Sequence, residues 1–196
     1  LPEPERRSRL YGDWFLGSGA IFNVVYNVHV QDPPDYSPSW RHIECVDPAL
    51  SSNAGYLLLA ERPFTREWYI VSERYIEKPY TSRRLLYTLK SLNPEARIVA
   101  RSSDVNPGFV NEAQDSTPPL TYRVPFNKTQ RADEIRERVQ DCLDGKEWTL
   151  RLTSKCPDLL KEMSSYMWSD ANKKTIHKAQ KYHLIDALKY GLEQVT

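Results

Sequence analysis

The chain has 196 residues, the size of one domain, and 40% apolar, 27% charged and 11% aromatic residues, a balance that excludes a disordered polypeptide. A net charge of +1 neither indicates nor excludes a nucleic-acid partner, because a basic face can be balanced elsewhere on the surface. No apolar run reaches the ~18 residues that cross a bilayer, Leu1 to Arg7 carry no secretory signal, and three widely spaced cysteines, Cys45, Cys142 and Cys156, read as reduced thiols. Residues 8–28 mix aromatics and glycines without a clean period and are expected to form a linker with a short β element, outside the core. Gln31 to Pro38 is a loop, since Pro33, Pro34 and Pro38 remove backbone donors.

Arg41 to Val46 reads as a strand whose alternation puts Ile43, Cys45 and Asp47 on one face. A carboxylate thus closes an apolar strand face, and Pro48 follows it. Ala54–Ala60 and Trp68–Ile76 are β-rich runs joined by a hairpin-like turn over Glu61–Glu67. Leu85, Leu86, Leu89 and Leu92 predict a helix over Ser82–Leu92, ended by Asn93-Pro94. The short strand from Ala96 to Ala100 runs on to Asp104, so a second carboxylate stands just past a strand end. Residues 106–120 look loop-like, with Pro107-Gly108 and Pro118-Pro119, and Tyr122 to Phe126 is a further strand. Thr129–Leu143 is an amphipathic helix closed by Asp144-Gly145, and Trp148–Leu152 is a strand. Pro157–Trp168 is a helix with Leu159, Leu160, Met163 and Met167 inward. A turn over 170–174 and a last helix, Tyr182–Val195, complete the chain. This order predicts an α/β fold, a mixed sheet with helices on both faces.

Three acids stand out by position: Asp47, Asp104 and Asp186, the last in the final helix. Hard divalent cations take oxygen ligands, often one or two carboxylates each. Two such ions about 4 Å apart can activate a water and stabilise the leaving oxygen of a phosphodiester. Spacing alone leaves a turn or capping role equally open to each acid. His183, three residues before Asp186, shares its helical face.

The run Lys181-Tyr182-His183-Leu184-Ile185-Asp186-Ala187-Leu188-Lys189-Tyr190 resembles the nuclease motif of tailed-bacteriophage terminase large subunits: His, two apolar residues, Asp-Ala, an apolar residue, a basic residue, Tyr. Val46-Asp47-Pro48-Ala49, with the hairpin after it, resembles that family's first catalytic strand, and Ile98 to Asp104 its second acidic strand. Arg9 to Trp14, with Gly19 to Phe22, resembles the segment joining the packaging ATPase to the nuclease. The resemblance spans nearly the whole chain in the right order. It implies an RNase H-like nuclease domain over residues 40–196, with residues 1–39 as the linker from an ATPase domain and the start of the nuclease fold. The sequence has no Gly-x-x-x-x-Gly-Lys-Ser/Thr loop, so the ATP-hydrolysing part is expected to lie outside it.

The activity implied is a metal-dependent endonuclease that cuts double-stranded viral DNA with little sequence preference at the start and end of genome packaging. Asp47, Asp104 and Asp186 would be the catalytic acids and hold two Mg²⁺ or Mn²⁺ ions. The implied setting is the host cytoplasm, with DNA, the portal protein, the terminase small subunit and the ATPase domain of the same chain as partners, and no membrane. One departure stands out: many relatives carry a second acid shortly after the first, where this chain has Ser51-Ser52-Asn53. His183 and Asp170 are candidates for the fourth ligand, with Glu73 and Glu77 behind them. The lysine-rich segment 168–180 is expected to meet DNA through Lys173, Lys174 and Lys178, together with Lys181 and Lys128. Two rivals remain: another RNase H-like nuclease, such as a resolvase or transposase core, and a docking domain that binds DNA or the portal without cutting.

Overall fold

The computed structural model describes residues 20–49, 51–124, 132–146, 148–168 and 181–195. In chain order the elements are α1 (Tyr26–His29), β1 (Arg41–Asp47), β2 (Ala54–Glu61), β3 (Glu67–Ile76), α2 (Ser82–Leu92), β4 (Ile98–Ser103), α3 (Pro107–Gln114), α4 (Ala132–Leu143), β5 (Thr149–Arg151), α5 (Pro157–Ser165) and α6 (His183–Leu192). The five strands form one sheet in the order β4-β1-β2-β3-β5. The pairs β1–β2 and β2–β3 are antiparallel, whereas β4 and β5 join as parallel edge strands. The α/β mixed sheet read from the element order is therefore the fold observed.

Helices cover both faces because both faces are apolar. Ile43, Cys45, Leu57, Leu59, Trp68 and Ile70 pack against α4, α5 and α6. Val46, Tyr56, Leu58, Ala60, Tyr69 and Val71 pack against α2 and α3. β1 and β2 are buried along nearly their full length, as central strands covered twice must be. α6 contributes Leu184, Ile185, Ala187, Leu188 and Leu192, all buried, and each larger side chain among them adds ~1.5–3 kcal/mol of transfer free energy.

Several elements differ from the sequence expectation. Residues 106–120 contain helix α3: Asn106 caps it by accepting from the Phe109 N–H at 3.2 Å, and Pro107 takes the first helical position. Proline is tolerated there because that N–H has no helical partner anyway. The strand expected over Tyr122–Phe126 is, in its described part, a single bridge between Ser102 and Arg123. α5 ends at Ser165, and Met167 instead bridges Ala20. The linker expected over residues 8–28 is overturned in its described part: Phe22 and Val24 are buried in the core, and Phe22 stacks on Tyr166 at 5.4 Å.

α6 is held to the sheet by close approach at two glycines. A methyl group on Gly191 would lie 2.1 Å from Cys45 Sγ, and one on Gly55 would lie 2.5 Å from the carbonyl oxygen of His183. Its N-terminus carries no cap of its own, since the Tyr182 side chain makes no capping bond. Instead the buried Glu162 of α5 accepts from the N–H groups of Leu184 (3.2 Å) and Ile185 (2.8 Å) and from the Tyr75 hydroxyl.

Two predictions follow from this packing. An open helix site gains ~1 kcal/mol when Gly becomes Ala, but Gly191→Ala should lose about 1–3 kcal/mol through overpacking. Adding Cys45→Ala should recover part of that loss in urea unfolding; a stabilised single variant would show that α6 does not lie this close. Burial raises the Glu162 carboxyl from the ordinary 4.5 to about 7, so the folded chain keeps a proton that the unfolded chain releases. Stability from this group should therefore fall as pH rises from 4.5 to 7. Tm measured across that window should fall less in Glu162→Gln than in the unsubstituted protein; identical slopes would contradict the assignment.

Candidate functional site

Asp47 and Asp104 come together through strand register. Parallel β1 and β4 pair Val46 with Ser103, so the next residues, Asp47 and Asp104, leave neighbouring strand ends about 5 Å apart. Alternation aims both toward α6: Cys45, two residues before Asp47, touches Gly191, and Ser102, two residues before Asp104, donates to the Tyr190 carbonyl at 2.7 Å. On the other side of Asp47 stands its cross-strand partner Gly55. With no side chain there, the first turn of α6 settles onto β2 and brings His183 over Asp47.

His183 is held at both ring nitrogens. Its Nδ1 lies 2.5 Å from Asp47 Oδ2, and its Nε2 lies 2.7 Å from Ser52 Oγ. The hydrogen bond to Asp47 raises the imidazole pKa, burial works against it, and the charges of Asp47, Asp186 and Glu162 add to the rise. The loop that carries Ser52 is pinned by Tyr80, whose hydroxyl lies 3.0, 2.9 and 3.2 Å from the carbonyl oxygens of Pro48, Ala49 and Ser52. Burial, and then the charge of Asp47, push the Tyr80 hydroxyl up to about 12.

Asp186 lies three residues further along the first turn of α6, its side chain 41% exposed, and accepts from Lys189 Nζ at 2.8 Å. Burial disfavours the Lys189 charge, but Asp186 and Tyr166 outweigh it and the net shift is upward. Asp104 accepts from the Val105 N–H at 2.6 Å. Burial raises the Tyr190 hydroxyl above its ordinary value, and the charges of Asp186, Asp104 and Asp47 add to the rise.

Each of the three carboxylates thus turns an oxygen to a protein partner. Among the described residues, no three His, Cys, Asp or Glu side chains are grouped closely enough to share one ion in this arrangement. The chemistry of the donor set nonetheless fits a hard divalent cation: Asp47 at the end of β1, Asp104 just past β4 and Asp186 on α6 offer carboxylate oxygens. Of the other expected residues, Lys181 is exposed just before α6. Asp170, Lys128, Lys173, Lys174 and Lys178 lie outside the described residues. Glu73 is not drawn into the site; its carboxylate accepts from the N–H groups of Asp158 and Leu159 at the start of α5, at 2.7 and 2.9 Å.

Ser52, Tyr80 and Glu162 were not singled out from the sequence. Glu162 could have been noticed, since it interrupts the apolar stripe of Leu159 and Met163 and is itself buried. Lys189 follows Asp186 at i+3, a spacing that permits an ion pair. Ser52 and Tyr80 have no local signal, because their partners are far away in the chain.

No protein-family model matches the sequence, and no curated protein does. Solved structures do match in fold. A large terminase from a thermophilic bacteriophage superposes with a TM-score of 0.76 at 18% identity, over 98% of this chain and 52% of its own. This chain therefore spans about half the length of that protein. The large terminase nuclease domain of bacteriophage P22 gives a TM-score of 0.66 at 12% identity, covering 92% of this chain and 95% of its own. The large terminase nuclease domain of bacteriophage SPP1 with bound Mn gives 0.59 at 14% identity, covering 80% and 87%. The pairing of β4 beside β1, the helices on both faces and α6 laid across the strand ends together give this chain the RNase H-like fold of the terminase large-subunit nuclease domains.

Proposed function

We propose that the chain is the nuclease domain of a large terminase, an endonuclease that cuts double-stranded DNA during viral genome packaging. The observation that carries this reading is the register that sets Asp47 beside Asp104 under the helix bearing His183 and Asp186. That a protein of the same fold holds Mn supports a divalent cation. Asp47, Asp104 and Asp186 would hold Mg²⁺ or Mn²⁺, as two ions in the full reading, and the bound cation supplies Lewis-acid polarisation of the phosphate. His183, fixed between Asp47 and Ser52, can hold a proton beside the acids. Lys189 balances the charge of Asp186.

Lys181, with Lys128, Lys173, Lys174 and Lys178, would meet the DNA backbone. Such contacts carry no base information, which accords with cutting of little sequence preference. The portal protein, the small subunit and an ATPase domain of the same chain are the partners in this reading. Its setting is the host cytoplasm; among the described residues no helix is long and apolar enough to cross a membrane.

Plasmid nicking that stops in EDTA separates this reading from a docking domain. Asp47→Ala and Asp186→Ala should each lose more than the roughly 10- to 100-fold typical of an outer-sphere partner, with a native circular dichroism spectrum. Asp104→Asn should melt higher than the unsubstituted protein in EDTA, because it relieves repulsion among the acids. It should also gain less from Mn²⁺; equal Mn²⁺-induced shifts in the two proteins would remove Asp104 from the ligands. Changing Lys173, Lys174, Lys178 and Lys181 to Ala should weaken binding to unrelated DNA sequences alike and flatten the dependence of log affinity on log salt. An unchanged slope would place these lysines away from DNA.

A further inference from the structure

Two of the described helices, α5 and α6, lack caps from their own N-cap residues. Cys156, at the start of α5, makes no side-chain capping bond, and neither does Tyr182 at the start of α6. Tyr182 is committed elsewhere: its ring meets Tyr166 edge-on at 4.6 Å, and its hydroxyl donates to the Ser165 carbonyl at 2.9 Å. Both helices take their caps from glutamates of other elements. Glu73 of β3 receives the N–H groups of Asp158 and Leu159, and Glu162 of α5 receives those of Leu184 and Ile185. Tyr75, two residues beyond Glu73 and so on the same strand face, donates to Glu162.

These contacts form a chain of support that ends at the candidate site. β3 fixes the start of α5 through Glu73; α5 and β3 together fix the start of α6 through Glu162 and Tyr75. The first turn of α6 contains His183 and Asp186. A buried carboxyl group at that end satisfies two N–H donors that have no partner within the helix. Without it those donors would be buried unpaired, and the turn would have to move or fray to reach water.

We propose that Glu162 is a positioning residue for the candidate site, fixing the first turn of α6 so that His183 meets Asp47 and Asp186 stands with the other two acids. The proposal rests on the nuclease reading above for what the positioned residues do.

The test uses the whole chain with Glu162→Ala, Glu162→Gln and Tyr75→Phe, and three readouts taken well below the melting temperature. Amide hydrogen exchange reports the bonds from Leu184 and Ile185. The imidazole N–H proton resonance of His183 in metal-free protein reports its contact with Asp47. Calorimetry reports Mn²⁺ affinity. Glu162→Ala should expose the two amides, move the His183 resonance upfield and weaken Mn²⁺ binding by roughly 10- to 100-fold. Glu162→Gln keeps one acceptor oxygen and should restore most of the resonance; Tyr75→Phe should shift it less than Glu162→Ala. Amides that stay protected in Glu162→Ala would overturn the capping role. Exposed amides with unchanged resonance and Mn²⁺ affinity would overturn the positioning role, because a purely structural cap lowers Tm and moves neither. If Glu162→Ala does not fold, Leu184 and Ile185 amides as protected in Glu162→Gln as in the unsubstituted protein, together with an unshifted resonance in Tyr75→Phe, overturn the proposal. An unsubstituted protein that binds no Mn²⁺ and cuts no DNA would overturn the nuclease reading, while the amide and imidazole readouts still judge Glu162.

Discussion

Helix α6 lies on β1 and β2 so closely that neither Gly55 nor Gly191 has room for a methyl group. The two contacts sit at opposite ends of the helix, one under the His183 carbonyl and the other over Cys45. A helix held at both ends cannot rotate about its axis, so the faces of its remaining residues follow from the period of 3.6. Leu184, Ile185, Ala187 and Leu188 turn into the core, and His183, Asp186 and Tyr190 are left near the ends of β1 and β4. The candidate site is in this sense a by-product of close packing: the same approach that buries the apolar stripe carries a histidine onto Asp47.

The opposite sheet face stabilises the same geometry by a different means. Glu44 of β1 is almost wholly buried, accepts from the Tyr122 hydroxyl and pairs with Arg101 of β4, whose Nε lies 3.3 Å away. Burial is the main reason its pKa is raised; Tyr122 and Arg101 pull it back down. Removing one member of such a network leaves a polar group unpaired in the interior. The network ties β4 to β1 in the register that sets Asp104 beside Asp47, so a polar cluster on one face fixes the spacing of acids that serve the other.

Four of the acids that shape this region divide by side-chain length. Glu73 and Glu162 reach across from one element to the end of another and act as helix caps. Asp47 and Asp104 are short, stand at strand ends and remain close to the backbone that positions them. Around the site, His183 and Lys189 offset carboxylate charge within hydrogen-bond distance. Charge that would otherwise repel is thus distributed among partners before any ligand is considered.

Local periodicity in the sequence determined the strand of Ile43, Cys45 and Asp47, the stripe of Leu85, Leu86 and Leu89 and the placing of Asp186 on the last helix, and the structure agrees on all three. Alternation and helical period are properties of a few adjacent residues, so they survive without the rest of the fold. α3 was missed because Pro107-Gly108 signals a turn and a helix start equally well, and eight residues are too few for a period to decide. The burial of Phe22, the reduction of Tyr122–Phe126 to one bridge in its described part, the pinning of His183 by Ser52 and the capping by Glu73 and Glu162 were decided by tertiary structure alone. Each depends on partners tens to more than a hundred residues apart, and no local pattern encodes a partner that folding brings into reach.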